Sequence, residues 1–332
     1  MQQLVDQARR GSIRAASRLI TLIEDDPSRI PELFAAAGDA PQARLVIGLT
    51  GPPGVGKSTL TDRLVSEWRR RWPDARIGVL AVDPSSPVSG GAVLGDRIRM
   101  MRHTTDPNVF IRSLANRLRL GGLSLGIHGS LRVMGLVGCD RVLIETVGVG
   151  QNEIDVCGIA DLTCVVLAPG QGDAVQLLKA GLLEIADVFV VNKSDRDGAD
   201  RLVRDLTGLL LMTRVRERRP DVVPVSARSG RGIVEWVDAM ERCAAAAADR
   251  MAARRARALD EELEQAVMFA ARRQLERAWR GNGIAREQLQ NILAGRVTVD
   301  AAAKRLLQLS LTPAVSDESS ADAAERNRSD AP

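Results

Sequence analysis

A glycine-rich segment directly after an aliphatic run is the feature that most constrains what this chain can fold into. Residues 51–58 read Gly-Pro-Pro-Gly-Val-Gly-Lys-Ser and follow the run Leu-Val-Ile-Gly-Leu-Thr at 45–50, and a helical stretch continues over 59–70. A strand, a glycine-rich turn and a helix in this order form a phosphate-binding loop, because the glycines let backbone N–H groups point inward at phosphate oxygens. The segment therefore predicts a P-loop nucleotide-binding α/β fold.

Two side chains of this loop have predicted roles on a bound nucleotide. Lys57 would reach the β- and γ-phosphates, and Ser58 would ligate Mg²⁺. The N-terminus of the helix that follows adds positive partial charge beside the phosphates. The predicted phosphate-binding residues are Gly51, Pro52, Pro53, Gly54, Val55, Gly56, Lys57, Ser58 and Thr59.

Short aliphatic runs alternate with helical stretches or loops through the middle of the chain. Such alternation is typical of a mostly parallel sheet flanked by helices. Aromatic residues are scarce, with 4 Phe, 4 Trp and no Tyr, so the core must be mostly aliphatic, as buried parallel strands are. The predicted strands are 44–50, 76–82, 141–145, 162–167, 188–191 and 222–225.

Helical segments flank the predicted sheet at both ends. Apolar residues recur at helical spacing from Leu4 to Ile23, which predicts helices over 3–38. The strands stop near residue 232, and the Ser-, Ala- and Asp-rich end of the chain has the composition of a disordered segment. We expect a helical extension at 1–42, a P-loop domain at 43–245, a helical arm at 246–312 and a disordered tail at 313–332.

The predicted arm contains helices at 254–280 and 298–311, after a helix at 233–248. In the first of the two, apolar residues recur at every fourth position from Leu259 to Trp279. This spacing fits a helix that lies on its own domain and equally an arm that pairs with a second subunit. The residues alone leave both alternatives open.

A second motif selects the base of the nucleotide. The aliphatic run at 188–191 ends in Asn192, Lys193, Ser194 and Asp195. The carboxylate of Asp195 can accept from both N1–H and the 2-amino group of guanine, and adenine lacks both of these donors. The stem of Lys193 can lie along the base plane, and Asn192 can connect neighbouring loops. After the run at 222–225, a backbone N–H in Ser226, Ala227 or Arg228 can donate to guanine O6.

Acidic residues at strand ends predict the metal site. Glu145 ends a hydrophobic run and begins an E-x-x-G motif whose Gly148 N–H would sense the γ-phosphate. Asp83 ends another run, and Asp96 lies in a Gly-Asp-Arg segment. Carboxylates together with the Ser58 hydroxyl suit Mg²⁺, which prefers oxygen ligands. Gln151 is the nearest polar candidate for orienting the attacking water, so hydrolysis is expected to depend on a partner.

Composition excludes several other classes of function. The net charge of +4 comes without basic residues interleaved with aromatic ones, so we expect no nucleic-acid binding. No apolar run approaches the ~18 residues of a membrane span, and the start lacks the apolar region of a secretory signal, so we expect a cytoplasmic protein. The 2 His and 4 Cys form no cluster, which disfavours a metal-insertion GTPase. A small-molecule P-loop kinase is a further alternative, and the N-K-x-D motif argues against it.

The order of these motifs resembles the MeaB/ArgK family of P-loop GTPases with Glu in the third motif. Family-like segments lie at 80–86 (Leu-Ala-Val-Asp-Pro-Ser-Ser), 94–100 (Leu-Gly-Asp-Arg-Ile-Arg-Met), 145–151 (Glu-Thr-Val-Gly-Val-Gly-Gln) and 192–195. The match spans residues 45–227, with helices on both sides.

The resemblance implies a GTPase chaperone of an adenosylcobalamin-dependent acyl-CoA mutase, which gates cofactor loading and protects or reactivates the mutase. It implies GTP and Mg²⁺ as cofactors and a homodimer formed through C-terminal helices. By resemblance, Lys57, Ser58, Asp83, Asp96 and Glu145 take the catalytic, phosphate and metal roles. Asp173, Gln176 and Lys179 match the family's switch loop, which contacts the mutase.

Two segments depart from the family pattern. Ala174 stands where the switch loop is expected to carry an acid, and the segment 111–117 differs from the Ser- and Gly-rich segment of methylmalonyl-CoA mutase chaperones. That segment looks more like the GTPase domain fused into isobutyryl-CoA mutase. The resemblance therefore leaves the partner open between a methylmalonyl-CoA and an isobutyryl-CoA mutase.

Overall fold

The computed structural model describes residues 1–83, 101–103, 105–115, 122–146, 158–170, 182–212, 219–281 and 283–311. The chain forms two compact units, which divide between Gln265 and Ala266. The first unit contains the sheet, and the described part of the second is helical. Within the described ranges, no helix is both long enough and apolar enough to cross a bilayer.

The first unit alternates strands and helices. Its strands are β1 (Leu45–Thr50), β2 (Arg76–Asp83), β3 (Val109–Ala115), β4 (Cys139–Thr146), β5 (Leu162–Leu167), β6 (Val188–Val191) and β7 (Asp221–Pro224). Its helices are α1 (Gln2–Arg9), α2 (Ile13–Asp25), α3 (Ile30–Ala37), α4 (Lys57–Arg71), α5 (Gly122–Leu136), α6 (Leu182–Ile185), α7 (Ala199–Met212), α8 (Ile233–Ala246) and the first part of α9 (Ala248–Gly281). Short 3₁₀ turns lie at Pro27–Arg29 and Met101–His103.

The strands form one parallel sheet in the order β3-β2-β4-β1-β5-β6-β7. β1, β5 and β6 are buried along their whole length, as expected for aliphatic strands covered on both faces. β1 lies between β4 and β5. The strands β2, β3 and β4 therefore lie on one side of β1, and β5, β6 and β7 lie on the other. In open parallel sheets, ligands bind at the carboxyl ends of the strands where this change of direction occurs.

The predicted parallel sheet flanked by helices is confirmed, and among the described residues it includes a strand, β3, that the sequence did not indicate. β3 was missed because Arg112 and Ser113 interrupt its apolar run. Arg112 donates to Thr21 Oγ1 at 3.0 Å and to Glu24 Oε2 at 2.5 Å, both on α2. β3 lies at the edge of the sheet, so a polar side chain is tolerated there and hides the strand pattern.

The helical stretch predicted over 3–38 is divided into α1, α2 and α3. Gly11 separates the first two with a φ of +86°, in the region that favours glycine. Ser12 then caps α2 by accepting from the N–H of Ala15 at 3.3 Å. The apolar faces of α2 and α3 pack against α5, and α1 packs against both α2 and α3, so the three N-terminal helices form one cluster beside α5.

Two buried aspartates attach the start of α9 to the sheet. Asp161, 2% exposed, precedes β5 and accepts from Arg255 Nε and Nη2, each at 2.6 Å, and from the Val46 N–H at 2.8 Å. Asp187 precedes β6 and accepts from Arg254 Nη1 at 2.6 Å. The hydrogen bonds that Arg255 donates to Asp161 hold the pKa of Arg255 above its ordinary value. These contacts lie at the amino ends of the strands, away from the P-loop.

The second unit contains, in its described part, the remainder of α9 with α10 (Gly283–Leu293) and α11 (Val299–Leu311). α9 begins at Ala248 rather than at the predicted residue 254. α11 agrees with the helix predicted at 298–311. α10 was missed because Asn-Gly at 282–283 signals a turn, and Gly283 is the first residue of the new helix.

Candidate functional site

The P-loop lies at the carboxyl end of β1, in the middle of the sheet, where the sequence placed it. Gly51 has a φ of +142°, and a Cβ at this position would lie 2.2 Å from the carbonyl oxygen of Val166. Gly56 has a φ of +100°, and its Cβ would lie 2.5 Å from Nδ2 of Asn192. Both positions therefore require glycine, because the loop passes directly against β5 and against the N-K-x-D segment.

Lys57 and Ser58 begin α4 and are buried, at 7% and 8% exposed. The Lys57 ammonium donates to the carbonyls of Gly51 and, at 3.2 Å, Pro52. The loop backbone thus holds a positive charge close to the helix N-terminus. These two sources of positive potential converge on the region where a P-loop holds phosphate groups.

Glu145 is fully buried at the end of β4 and contacts α4 through both carboxylate oxygens. Its Oε1 accepts from Ser58 Oγ and its Oε2 from Thr61 Oγ1, each at 2.7 Å. Ser58 and Glu145, both predicted as metal ligands, therefore lie in direct contact at the end of the P-loop. The sequence analysis missed Thr61, although its position three residues after Ser58 places both hydroxyls on one face of the helix.

Other predicted site residues lie at or beyond the limits of the described part of the chain. Asp83 ends β2, and the register of β2 on β4 pairs Ala81 with Glu145, so the backbone of Asp83 reaches the same edge of the sheet. The side chain of Asp83 lies outside the described part of the chain. The predicted residues Asp96, Gly148, Gln151, Asp173, Gln176 and Lys179 also lie outside the described residues.

The N-K-x-D segment contacts the P-loop and the loop after β7. Asn192 donates through Nδ2 to the Val55 carbonyl at 2.7 Å and accepts at Oδ1 from the Ala227 N–H at 3.1 Å. Lys193 has a φ of +59° and donates through Nζ to the Gly54 carbonyl at 2.7 Å. Asn192 therefore connects two loops, as predicted, and the stem of Lys193 extends beside the P-loop.

Asp195 lies on the exposed side of this arrangement and is fixed by the loop after β7. Its Oδ1 accepts from Ser226 Oγ at 2.6 Å. This hydrogen bond, followed by the backbone N–H of Asp195 itself, holds the pKa of the carboxyl below its ordinary value. The group is therefore a carboxylate at neutral pH and acts purely as an acceptor, the form required to recognise guanine N1–H and its 2-amino group.

Arg63 is a further residue that the sequence analysis missed. It lies on α4 and donates through Nε to the carbonyl of Ala227 at 2.8 Å and through Nη2 to that of Arg228 at 3.0 Å. The helix that follows the P-loop therefore also holds the loop predicted to contact the base. No local pattern signals this contact, because it joins residues from distant parts of the chain.

Comparison with known proteins decides the family. A family profile described as "Methylmalonyl Co-A mutase-associated GTPase MeaB" matches residues 16–282. The chain belongs to the MeaB family. This MeaB-family protein is accordingly a GTP hydrolase, and the P-loop and N-K-x-D residues described above are its candidate GTP site.

Relatives agree with this membership. A putative GTPase of Pyrococcus horikoshii is 46% identical over 243 residues, which cover 71% of the present MeaB-family chain and 75% of the relative. The fused isobutyryl-CoA mutase of Geobacillus kaustophilus is 37% identical over 204 residues, which cover 59% of this chain and 19% of the mutase. The crystal structure of a LAO/AO transport system kinase matches with a TM-score of 0.66 at 22% identity, covering 93% of this chain and 97% of that one, and shows the same fold.

Exchanging the acceptor at Asp195 should change which base is preferred. In Asp195→Asn, one acceptor oxygen becomes an amide donor, which can face the C2 carbonyl of xanthine but not the 2-amino group of guanine. We expect GTP affinity to fall at least about tenfold and XTP affinity to rise, since hydrogen bonds to a charged acceptor are stronger than those to a neutral amide. Titration calorimetry with both nucleotides measures this, with Asp197→Asn as the exposed control two residues away. Equal GTP affinities of the two variants would refute the guanine role.

Proposed function

We propose that this MeaB-family GTPase acts with GTP and Mg²⁺ as a chaperone of an adenosylcobalamin-dependent acyl-CoA mutase. It would gate cofactor loading and protect or reactivate the mutase, as a cytoplasmic protein. One observation carries the proposal beyond GTP hydrolysis. The region that resembles this chain is part of a mutase in the fused isobutyryl-CoA mutase, and the family description itself names a mutase.

The described residues fit a magnesium–nucleotide complex. The Ser58 hydroxyl and the Glu145 carboxylate are oxygen donors 2.7 Å apart at the end of the P-loop, and Mg²⁺ prefers such ligands. Asp83 and Asp96 are proposed to complete the metal site, and Gly148 to contact the γ-phosphate. A bound Mg²⁺ supplies positive charge to the phosphate oxygens.

Hydrolysis requires stabilisation of the charge on the transferred phosphoryl group. Lys57 is held at the loop by two carbonyls, so its ammonium is already oriented before the nucleotide arrives. Thr61 holds the second oxygen of Glu145 and keeps the carboxylate turned toward Ser58. Gln151 is proposed to orient the attacking water.

We further propose the domain division 1–42, 43–245, 246–312 and 313–332, with homodimers formed through the C-terminal helices. Three apolar side chains at four-residue spacing on α9 are 57–62% exposed, and such a stripe is typical of a helix that binds a partner. These side chains are Leu259, Leu263 and Val267.

Charges on this stripe should separate the subunits. We expect Leu259→Glu combined with Leu263→Glu to raise the dimer dissociation constant at least about a hundredfold, because buried unpaired carboxylates are strongly unfavourable. Light scattering at several concentrations measures this. Ala253→Glu with Arg257→Glu places the same number of new carboxylates at two exposed positions on another face of the helix and should remain dimeric. A monomeric wild type would refute the dimer.

The chaperone role is tested by cofactor transfer. Purified protein is mixed with methylmalonyl-CoA mutase or isobutyryl-CoA mutase, and adenosylcobalamin loading is followed with GTP or GDP. We expect the two nucleotides to differ about tenfold in loading with the true partner, a typical coupling between two sites. Identical loading of both mutases with either nucleotide would refute the chaperone role.

The same assay tests the proposed switch residues. Gln176→Ala with Lys179→Ala should leave GTP affinity unchanged, because neither residue belongs to the proposed nucleotide site. It should remove most of the difference in loading between GTP and GDP, since a nucleotide can bias a partner only through contacts that differ between its two states. If the double variant retains the full difference, the switch lies elsewhere.

A further inference from the structure

In the loop after β7, every backbone N–H group from Ser226 to Arg231 except one donates a hydrogen bond to a described residue. Between Ser226 and Arg231, the N–H groups of the other residues all donate within the loop or to Asn192. Those donors are Ser226 to Arg231 O (2.9 Å), Ala227 to Asn192 Oδ1 (3.1 Å), Ser229 to Ser226 Oγ (3.4 Å), Gly230 to Ser226 O (2.8 Å) and Arg231 to Ser229 Oγ (3.4 Å). The Arg228 N–H donates to no residue in the part of the chain that the structure describes.

Arg63 fixes the peptide unit to which that donor belongs. The carbonyl of Ala227 and the N–H of Arg228 share one planar trans peptide, so they point in opposite directions. Arg63 Nε holds the Ala227 carbonyl at 2.8 Å, and its Nη2 holds the Arg228 carbonyl at 3.0 Å. One guanidinium on α4 therefore sets the planes of two consecutive peptides and turns the Arg228 N–H away from α4.

The base that Asp195 recognises brings an acceptor to the same loop. Asp195 accepts from Ser226 Oγ at 2.6 Å, so the carboxylate and the loop are in direct contact. In guanine, O6 is bonded to the carbon next to N1, and it is an acceptor. A base whose N1–H and 2-amino group face Asp195 therefore presents O6 beside that contact. Ala227 has already given its N–H to Asn192, which leaves Arg228 as the donor.

We propose that Arg63 is a positioning residue for base recognition: by holding the Ala227 carbonyl, it aims the Arg228 N–H at O6 of guanine. This deepens the proposed GTP site and rests on the guanine role of Asp195. Arg63 itself touches neither the base nor the phosphates in this assignment. Its removal changes the contact to O6 and leaves the contacts of Asp195 to N1–H and the 2-amino group in place.

Two GTP analogues separate these contacts. 6-Thio-GTP replaces O6 by sulfur, a weaker acceptor, and keeps N1–H and the 2-amino group. ITP keeps O6 and N1–H and lacks the 2-amino group. The affinity ratio of GTP to 6-thio-GTP therefore reports the donor at Arg228, and the ratio of GTP to ITP reports Asp195. We call the affinity ratio of GTP to 6-thio-GTP the sulfur ratio. For the wild type we expect a sulfur ratio of about five- to tenfold, the range of one net hydrogen bond.

The variants are Arg63→Met, Arg63→Lys and, as control, Arg70→Met. Arg70 lies on the same helix and pairs with Glu67 at 2.6 Å, so its replacement makes the same chemical change without touching the loop. In Arg63→Met we expect the sulfur ratio to fall within about twofold of unity while the ITP ratio keeps its wild-type value. Arg63→Lys keeps one donor and should give an intermediate sulfur ratio, and Arg70→Met should match the wild type in both ratios.

A merely structural role of Arg63 predicts a different pattern. If both ratios fall together, or if neither changes, the positioning role is overturned. If the wild type binds 6-thio-GTP as tightly as GTP, the O6 contact itself is overturned. A wild type without an ITP penalty refutes the guanine role of Asp195, and the sulfur ratio then still decides the role of Arg63. Melting curves of Arg63→Lys and Arg70→Met confirm that the compared proteins are folded.

Discussion

Lys57→Ala should lower kcat/KM for GTP hydrolysis by about a hundred- to a thousandfold, the effect of removing one oriented donor from developing charge. The wild-type ammonium is buried and held by the carbonyls of Gly51 and Pro52, so its position is set before the nucleotide binds. The alanine variant retains the loop backbone and the helix N-terminus, so weak nucleotide binding should remain. Phosphate release with saturating GTP and Mg²⁺ measures the loss.

The control for this variant is Lys304→Ala. Lys304 pairs with Asp300 at 2.8 Å on an exposed face of α11, and its replacement removes the same ammonium far along the chain from the P-loop. Hydrolysis should then equal that of the wild type. Hydrolysis within tenfold of the wild type in Lys57→Ala, with an unchanged melting curve, would contradict the P-loop assignment.

Asp161→Ala should lower the free energy of unfolding by about 1–3 kcal/mol, the range for leaving a buried donor without its acceptor, because the Arg255 side chain is 36% exposed and can be solvated. The substitution removes the acceptor of Arg255 Nε and Nη2, each at 2.6 Å, and of the Val46 N–H at 2.8 Å. The Val46 N–H keeps no side-chain acceptor there, and the Arg255 guanidinium keeps only the backbone carbonyls of Ala43 and Arg44. Urea unfolding followed by circular dichroism measures the change.

An exposed ion pair provides the comparison. Asp205 lies 3.6 Å from Arg201 on α7, and both side chains are largely exposed, so Asp205→Ala should change the unfolding free energy by less than about 1 kcal/mol. If Asp161→Ala is no more destabilising than Asp205→Ala, the attachment of α9 to the sheet through Asp161 is not a major source of stability.

The sheet and the P-loop could be predicted because their signals are local. An aliphatic run that ends in glycines and Lys57-Ser58 specifies a strand, a turn and a helix from neighbouring residues alone. The guanine segment carries the same kind of local signal, and Asn192 connects the P-loop to the loop after β7, whereas the guanine role of Asp195 stays a prediction. β3 was not predicted because Arg112 interrupts the apolar pattern of the strand. Its side chain is held by Glu24 on α2, which is distant in the sequence.

The residues that the sequence analysis missed in the site act through tertiary contacts. Arg63 meets the carbonyl of Ala227, and Asp161 meets Arg255, across long stretches of chain. Neither contact can be predicted from the spacing of residues in the sequence, because only the folded sheet brings these elements together. Thr61 is the intermediate case: its helical spacing from Ser58 was visible, whereas its contact with Glu145 required the register of β4 beside β1.

The most direct test of the account is the base selectivity of hydrolysis in the unmodified protein. Phosphate release from labelled GTP is measured with Mg²⁺, while ATP, XTP or unlabelled GTP is added in hundredfold excess. The account predicts that unlabelled GTP suppresses release from labelled GTP and that ATP and XTP leave it nearly unchanged. Among these bases only guanine presents N1–H and a 2-amino group together to the carboxylate of Asp195. Suppression by ATP as strong as that by GTP, or hydrolysis of ATP at the rate of GTP, would contradict it.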